Sequence, residues 1–145
     1  MNLSKDIKIT VVEAAATAAT TELVSDVLDM QGWSGVMFIA LTGDVTDTSV
    51  LTLTVKGNSA NSTSSPTPVT QGAATFTAGA SNADSKVLMV DIYEPKLRYV
   101  FASLTRTTAN AVVGGVIAIQ YQPNSKPTSQ DATVIASAIA AGTAA

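Results

Sequence analysis

The stretch VLTLTVK, residues 50 to 56, constrains the fold more than any other part of this chain. Leu51, Leu53 and Val55 fall on one side and Thr52, Thr54 and Lys56 on the other. That period of two belongs to a strand with one buried face. The run VMFIAL, residues 36 to 41, is apolar throughout and lies between Gly35 and Gly43. It reads as a strand covered on both faces, or as a central strand of a sandwich. TGDVTD between the two runs has turn composition, so Val36 to Lys56 is expected to form an antiparallel hairpin.

Further strand signals surround this pair. DIKITVVEA alternates Ile7, Ile9 and Val11, and ELVSDVLDM is a second candidate, joined to it by an Ala/Thr connection over residues 14 to 21. KVLMVDIY, RYVFASLTR and AVVGGVIAIQYQ supply three more strands; Pro95 separates the first two, and Gly114 with Gly115 marks a bulge or close backbone approach in the last. Gly57 to Ala83 contains no charged residue and is rich in Ser, Thr, Gly, Asn and Pro, which reads as a long loop with a short strand at residues 74 to 77. Beyond Tyr121 the composition changes again. Ser129 is placed to cap a short helix ending at Gly142, with a pair of short strands as the alternative. No repeat of 20 to 50 residues appears. These signals predict an all-β protein: an antiparallel β-sandwich or jelly-roll-like domain over residues 1–122, with extended amino- and carboxyl-terminal arms, the latter being residues 123–145.

Composition narrows the chemistry. The chain has 145 residues, 46% of them hydrophobic but only 13% charged, with a net charge of -3. So weakly charged a surface gives little repulsion between copies, which favours self-association or a permanent partner. Eight scattered Lys and Arg against eleven acids leave no basic stripe for phosphates, so no nucleic acid is expected as a partner. The polar start MNLSKDIKIT and the absence of a long strongly apolar run predict synthesis in the cytoplasm and no membrane partner.

Neither His nor Cys occurs, which removes the commonest general base, thiolate chemistry and the commonest metal ligands. No Ser-x-x-Lys, GxGxxG or GxxxxGK[ST] motif is present. The expectation is therefore no enzyme and no cofactor or metal. Asp44 with Asp47, and Asp26 with Asp29, are the paired carboxylates; turn chemistry explains the first pair more simply than calcium does, and the second marks the solvent side and end of a strand. Among the aromatics, Tyr99 and Tyr121 lie inside apolar strands. Trp33, between Gly32 and Gly35, is read as a structural corner covering the core edge, with a subunit-interface anchor and a ligand platform as its alternatives.

The carboxyl-terminal arm carries Val134, Ile135 and Ile139 as its large apolar side chains, too few to order the segment. These three residues and Trp33 are the candidate interface residues. The arm is expected to be loose in the free subunit and ordered on assembly.

The segment VLDMQGWSGVMFIALTGDV resembles the Asp, small residue, Gly, aromatic, x, Gly, apolar-run segment of small virion structural proteins of tailed bacteriophages and prophages. EPKLRYVFASLTRTTANAVVGGVIAIQYQPNSKP resembles the same proteins' Arg-Tyr-Val strand, Ala-Ile-Gln-Tyr strand and proline-led arm, and the closing GTA fits too. Together these segments cover about half the chain. The resemblance implies a capsid decoration, or cement, protein on the outside of the virion shell: a homotrimer whose partner is the major capsid protein and which stabilises the mature head by binding it. Its contacts would come from the segment before Ile7, the uncharged loop and the carboxyl-terminal arm. A head-to-tail connector or tail protein is the alternative within the virion, and a glycan- or receptor-binding β-sandwich is the alternative outside it.

Overall fold

The computed structural model describes residues 2–142. Apart from one turn of 3-10 helix at Leu3–Lys5, its regular structure is strand: β1 (Ile7–Glu13), β2 (Ala16–Ala19), β3 (Leu23–Val24), β4 (Leu28–Asp29), β5 (Trp33–Val45), β6 (Val50–Asn58), β7 (Thr67–Thr77), β8 (Val87–Tyr93), β9 (Tyr99–Thr107) and β10 (Ala111–Pro123). Two antiparallel sheets form. The first runs β1-β10-β5-β8, with β2 also on β10; the second runs β3-β9-β6-β7, with β4 also on β9. If β1 and β2 count as one interrupted strand, and β3 and β4 as another, each sheet has four strands and most connections cross between sheets. That is jelly-roll connectivity.

The sheets pack face to face. Val36, Phe38 and Ala40 of β5, Val116 and Ala118 of β10, Leu51, Leu53 and Val55 of β6, and Val100, Ala102 and Leu104 of β9 meet in one core. The alternation read in VLTLTVK is real: Leu51, Leu53 and Val55 are fully buried and Thr52 and Thr54 half-exposed. The hairpin read from it is not. β5 and β6 lie in different sheets, and Thr46 to Ser49 carries the chain across the sandwich. Alternation fixes which side chains point inward and is silent about which sheet a strand joins. The partner of β6 is β7, paired from Val50↔Thr77 to Gly57↔Thr67. β7 occupies much of the segment expected to be loop. Asn58 ties its connecting loop together, its Nδ2 donating to the carbonyls of Ser62 and Ser64 at 2.9 and 2.8 Å.

Other expectations are corrected in the same way. Ala16–Ala19 is a strand on β10 rather than a connection. ELVSDVLDM is split into β3 and β4 by Ser25, whose N–H donates to Ala102 O at 2.8 Å and whose Oγ accepts from Ala102 N at 2.9 Å. Gly114 and Gly115 do sit at a bulge, where the β10–β5 register shifts. Gly115 has φ +126° and a Cβ there would stand 3.0 Å from Glu13 O, so only glycine fits comfortably.

Arg106, read only as the end of a strand, lies between the sheets at 1% exposure. Its Nε donates to Thr21 O, one terminal nitrogen to Thr17 O and Ala111 O, and the other to Thr21 Oγ1, all within 2.9 Å. The guanidinium thus fastens β2 and the chain after it to β9 and β10. Carbonyl acceptors compensate its burial in place of a carboxylate.

Candidate functional site

The two outer faces of the sandwich differ in kind. On the β3-β9-β6-β7 sheet, neighbouring residues across the strands are Thr107, Val50 and Thr77 in one row and Thr105, Thr52 and Thr75 in the next. Thr52 and Thr75 hydroxyls meet at 3.1 Å. These rows present hydroxyls to water, while Phe101 and Ser103 of β9, at the same parity, are buried.

The outer face of the β1-β10-β5-β8 sheet is apolar. Its rows read Val11, Ile117, Ile39, Met89; then Ile9, Ile119, Met37, Asp91; then Ile7, Tyr121, Gly35, Tyr93, with Leu41 beside Val87 at the far end. Val87, Met89 and Tyr93 are each more than half exposed, and Val11, Leu41 and Ile117 are exposed as well. The run VMFIAL is therefore covered on one face only. Val36, Phe38 and Ala40 enter the core, while Met37 and Ile39 are half-exposed and Leu41 exposed.

Gly35 and Tyr121 make a polar contact possible across this face. An ideal Cβ on Gly35 would lie 2.2 Å from Tyr121 Cζ, because the ring lies directly across the glycine. Crossing it brings the Tyr121 hydroxyl from β10 to β8, where it donates to Asp91 Oδ1 at 2.6 Å. Burial of the ring, then the Asp91 carboxylate, pushes the Tyr121 phenol above its usual range.

The two edges of this sheet are also unlike. At β1 the carboxyl-terminal arm lies alongside and bonds through side chains. Gln130 Oε1 accepts from Ile9 N at 2.8 Å while its Nε2 donates to Ile7 O at 2.8 Å, and Thr133 Oγ1 accepts from Val11 N at 3.0 Å. Thr128 adds its N–H to Lys5 O and its hydroxyl to Ile7 O. Side chains thereby take the place of a neighbouring strand and close the edge. The other edge, β8, pairs with β5 alone.

The arm differs from expectation: residues 127–142 form neither helix nor strand. Polar side chains hold it, and its large apolar residues are left outside. Val134 is half-buried, Ile135 is 97% exposed and Ile139 is 54% exposed. Thr143 and Ala144 of the closing GTA, and the last residues of the arm, lie outside the described residues.

Trp33 opens β5 just after Gly32, where φ is +88°. It is half-buried, packs on the core, and stands opposite Pro123. It also lines a shallow cleft with Met30, Glu94, Leu97 and Arg98.

Of the paired carboxylates, Asp29 is engaged by a cation. Asp29 is held by Arg98 in a two-point ion pair at 2.8 Å, and its pKa falls to about 2, chiefly through that bond and further through Gln31 N. Arg98 in turn lies 5.1 Å over the Tyr99 ring. Asp131 is lowered by the N–H and hydroxyl of Thr133. Among the described residues no three acidic side chains cluster to hold a metal ion, and no helix is long and apolar enough to cross a membrane.

No protein-family model matches the chain, and no curated protein matches it.

Proposed function

We propose that this protein is a structural subunit of a larger assembly, of the capsid decoration type, binding the outer surface of a major capsid protein lattice and stabilising the mature head. The observation that carries this reading is the apolar outer face of the β1-β10-β5-β8 sheet, set against the threonine surface on the opposite side. A subunit that met water on both sides would gain nothing from exposed Leu41, Val87, Met89 and Ile117 in one continuous patch.

The size of the patch agrees with a lattice role. Four strands across and three to four rows deep give an area on the order of 350 Å² at about 4.8 Å between strands. That is well below the roughly 800 Å² per partner of a stable two-body interface. One such face binds weakly alone, and many copies on a repeating shell reinforce one another. Jelly-roll connectivity, which viral capsid domains share with lectins, is compatible with the same reading as analogy of fold. On this reading the protein works by mass action, shifting the shell towards the form it binds.

The test is sedimentation of the purified protein with expanded heads, and separately with unexpanded precursor heads, of the virus that encodes it. The full chain should pellet with expanded heads. A Leu41→Asp, Ile117→Asp variant should bind at least tenfold more weakly with its far-ultraviolet circular dichroism unchanged. Undiminished binding by that variant would refute the assignment of the face. No binding by either, together with Trp33 fluorescence that responds to free sugars, would replace the reading with a glycan-binding module.

A further inference from the structure

The bare edge of β8 and the unpartnered apolar arm fit each other. Thr42 N donates to Lys86 O at 2.8 Å and Glu94 N to Ser34 O at 2.7 Å, so the even-numbered backbone groups of β8 face β5. The N–H and C=O groups of Val87, Met89, Asp91 and Tyr93 therefore point away from the sheet. Among the described residues nothing bonds to them. Three of them, Val87, Met89 and Tyr93, carry exposed apolar side chains of the outer face.

The arm beyond Thr133 has the complementary character. VIASAIAAG, residues 134 to 142, has no charge and no proline, and alternates Ile135, Ser137 and Ile139 with Val134, Ala136 and Ala138. Only two hydrogen bonds hold it in the described residues: Val134 N to Asp131 O at 3.0 Å and Asn2 Nδ2 to Ala140 O at 3.3 Å, the second long and exposed. Almost nothing opposes its departure.

We infer that residues 134–142 of one copy add as a strand to the β8 edge of a second copy. Seven residues of β8 span about 24 Å at about 3.4 Å per residue, which the arm matches in length. Placed there, Ile135 and Ile139 extend the apolar face beside Val87, Met89 and Tyr93. The small side chains turn inward, towards β7, which packs near β8. The chain's own β8 is out of reach: four strands lie between the arm's exit at β1 and that edge, about 20 Å, and crossing them would use most of the arm. The donation is therefore between copies and head-to-tail, a geometry that closes into a ring when the rotation allows.

Self-association of this kind stands apart from shell binding, and each can fail without the other. The experiment is light scattering after gel filtration on the full chain, on a chain ending at Thr133 that keeps the Gln130 and Thr133 bonds to β1, and on Met89→Pro, which removes one outward N–H and leaves the β5 ladder intact. The full chain should be a multimer and both variants monomers. Mixing the two variants should give a one-to-one dimer and nothing larger, since one supplies only an arm and the other only an edge. A monomeric full chain, an undiminished mass for the truncated chain, or a mixture that stays monomeric would overturn the inference. Should Met89→Pro fail to fold, the absence of native cysteine allows a second test. Ile135→Cys mixed with Met89→Cys should form a disulfide-linked dimer on oxidation, and Ile135→Cys mixed with Lys56→Cys, on the opposite face, should not. Equal cross-linking in both mixtures would overturn it equally.

Discussion

Replacing Gly35 by alanine should cost stability only because of a residue 86 positions away. The added Cβ would stand 2.2 Å from Tyr121 Cζ and 2.5 Å from its hydroxyl oxygen, against the roughly 3.5 Å or more of an unstrained contact. β5 is paired on both sides, with β10 and with β8, so the ring has to move rather than the strand. A displaced ring gives up its 2.6 Å bond to Asp91, about 1.5 kcal/mol for a charged acceptor at a half-exposed site. It also gives up about 1 kcal/mol of half-buried packing. Alanine returns about 0.5 kcal/mol by restricting the unfolded chain, so the expected net loss is about 2 kcal/mol.

Urea unfolding of Gly35→Ala, Tyr121→Ala and the double variant measures this as a cycle. With the ring gone, the same Gly35→Ala change should become neutral or slightly stabilising. Equal cost in both backgrounds would refute the reasoning, since it would place the penalty in the backbone of β5. A second reading comes from the phenol. Its pKa is raised in the folded protein, so its contribution to stability is complete below the ordinary value of 10.0 and is lost as the pH rises beyond it. A late-titrating phenol should be visible in the ultraviolet absorbance of the native chain and absent from Gly35→Ala.

Arg106→Met should destabilise by about 2 kcal/mol or more, because it leaves the carbonyls of Thr17, Thr21 and Ala111 without a donor; thermal unfolding within about 0.5 kcal/mol of the native chain would show that water replaces the guanidinium. Gln130→Ala with Thr133→Ala should cost about 1 to 2 kcal/mol and abolish hydrogen-exchange protection of the Ile9 and Val11 amides; retained protection would mean that the arm covers β1 without those bonds. Asp29→Asn should remove an acid-sensitive contribution. The Asp29 carboxyl is lowered from 3.8 to about 2 by Arg98, so the pair's contribution is present above about pH 4 and lost as the pH falls towards 2. The melting temperatures of native and variant chains should therefore converge across that window, and a constant gap would refute the ion pair as its source.

What the sequence revealed depended on how local the signal was. Strands β6, β8, β9 and β10 were legible because each carries its own apolar alternation or run. β7 was legible only at its end, residues 74 to 77: of its eleven residues only Val69 and Phe76 are large and apolar, and the rest are mainly Thr, Ala, Gly and Gln. As the outermost strand of its sheet it needs little apolar surface, so it left little trace. The buried role of Arg106 and the ring over Gly35 depend on partners remote in sequence, and nothing adjacent announces them. The arm was read by its isoleucines, whereas Gln130 and Thr133, unremarkable in sequence, make the bonds to β1.

The candidate face itself left a trace that a comparison of strands exposes. β6 is apolar at one parity and threonine or lysine at the other, as a strand with one wet face should be. VMFIAL, VLMV and VIAI are apolar at both parities, which reads in isolation as burial on two sides. In this sandwich, however, the core covers only one parity of these three strands, and Met37, Leu41, Val87, Met89 and Ile117 at the other parity stand half-exposed or exposed. Apolar side chains left uncovered in this way are what the proposed lattice contact would cover. All three lie in one sheet; β9 of the other sheet is apolar at both parities over YVFA as well, but its outward Phe101 is buried within the domain. Low charge and scattered strand signals could not show this until the topology separated the two sheets.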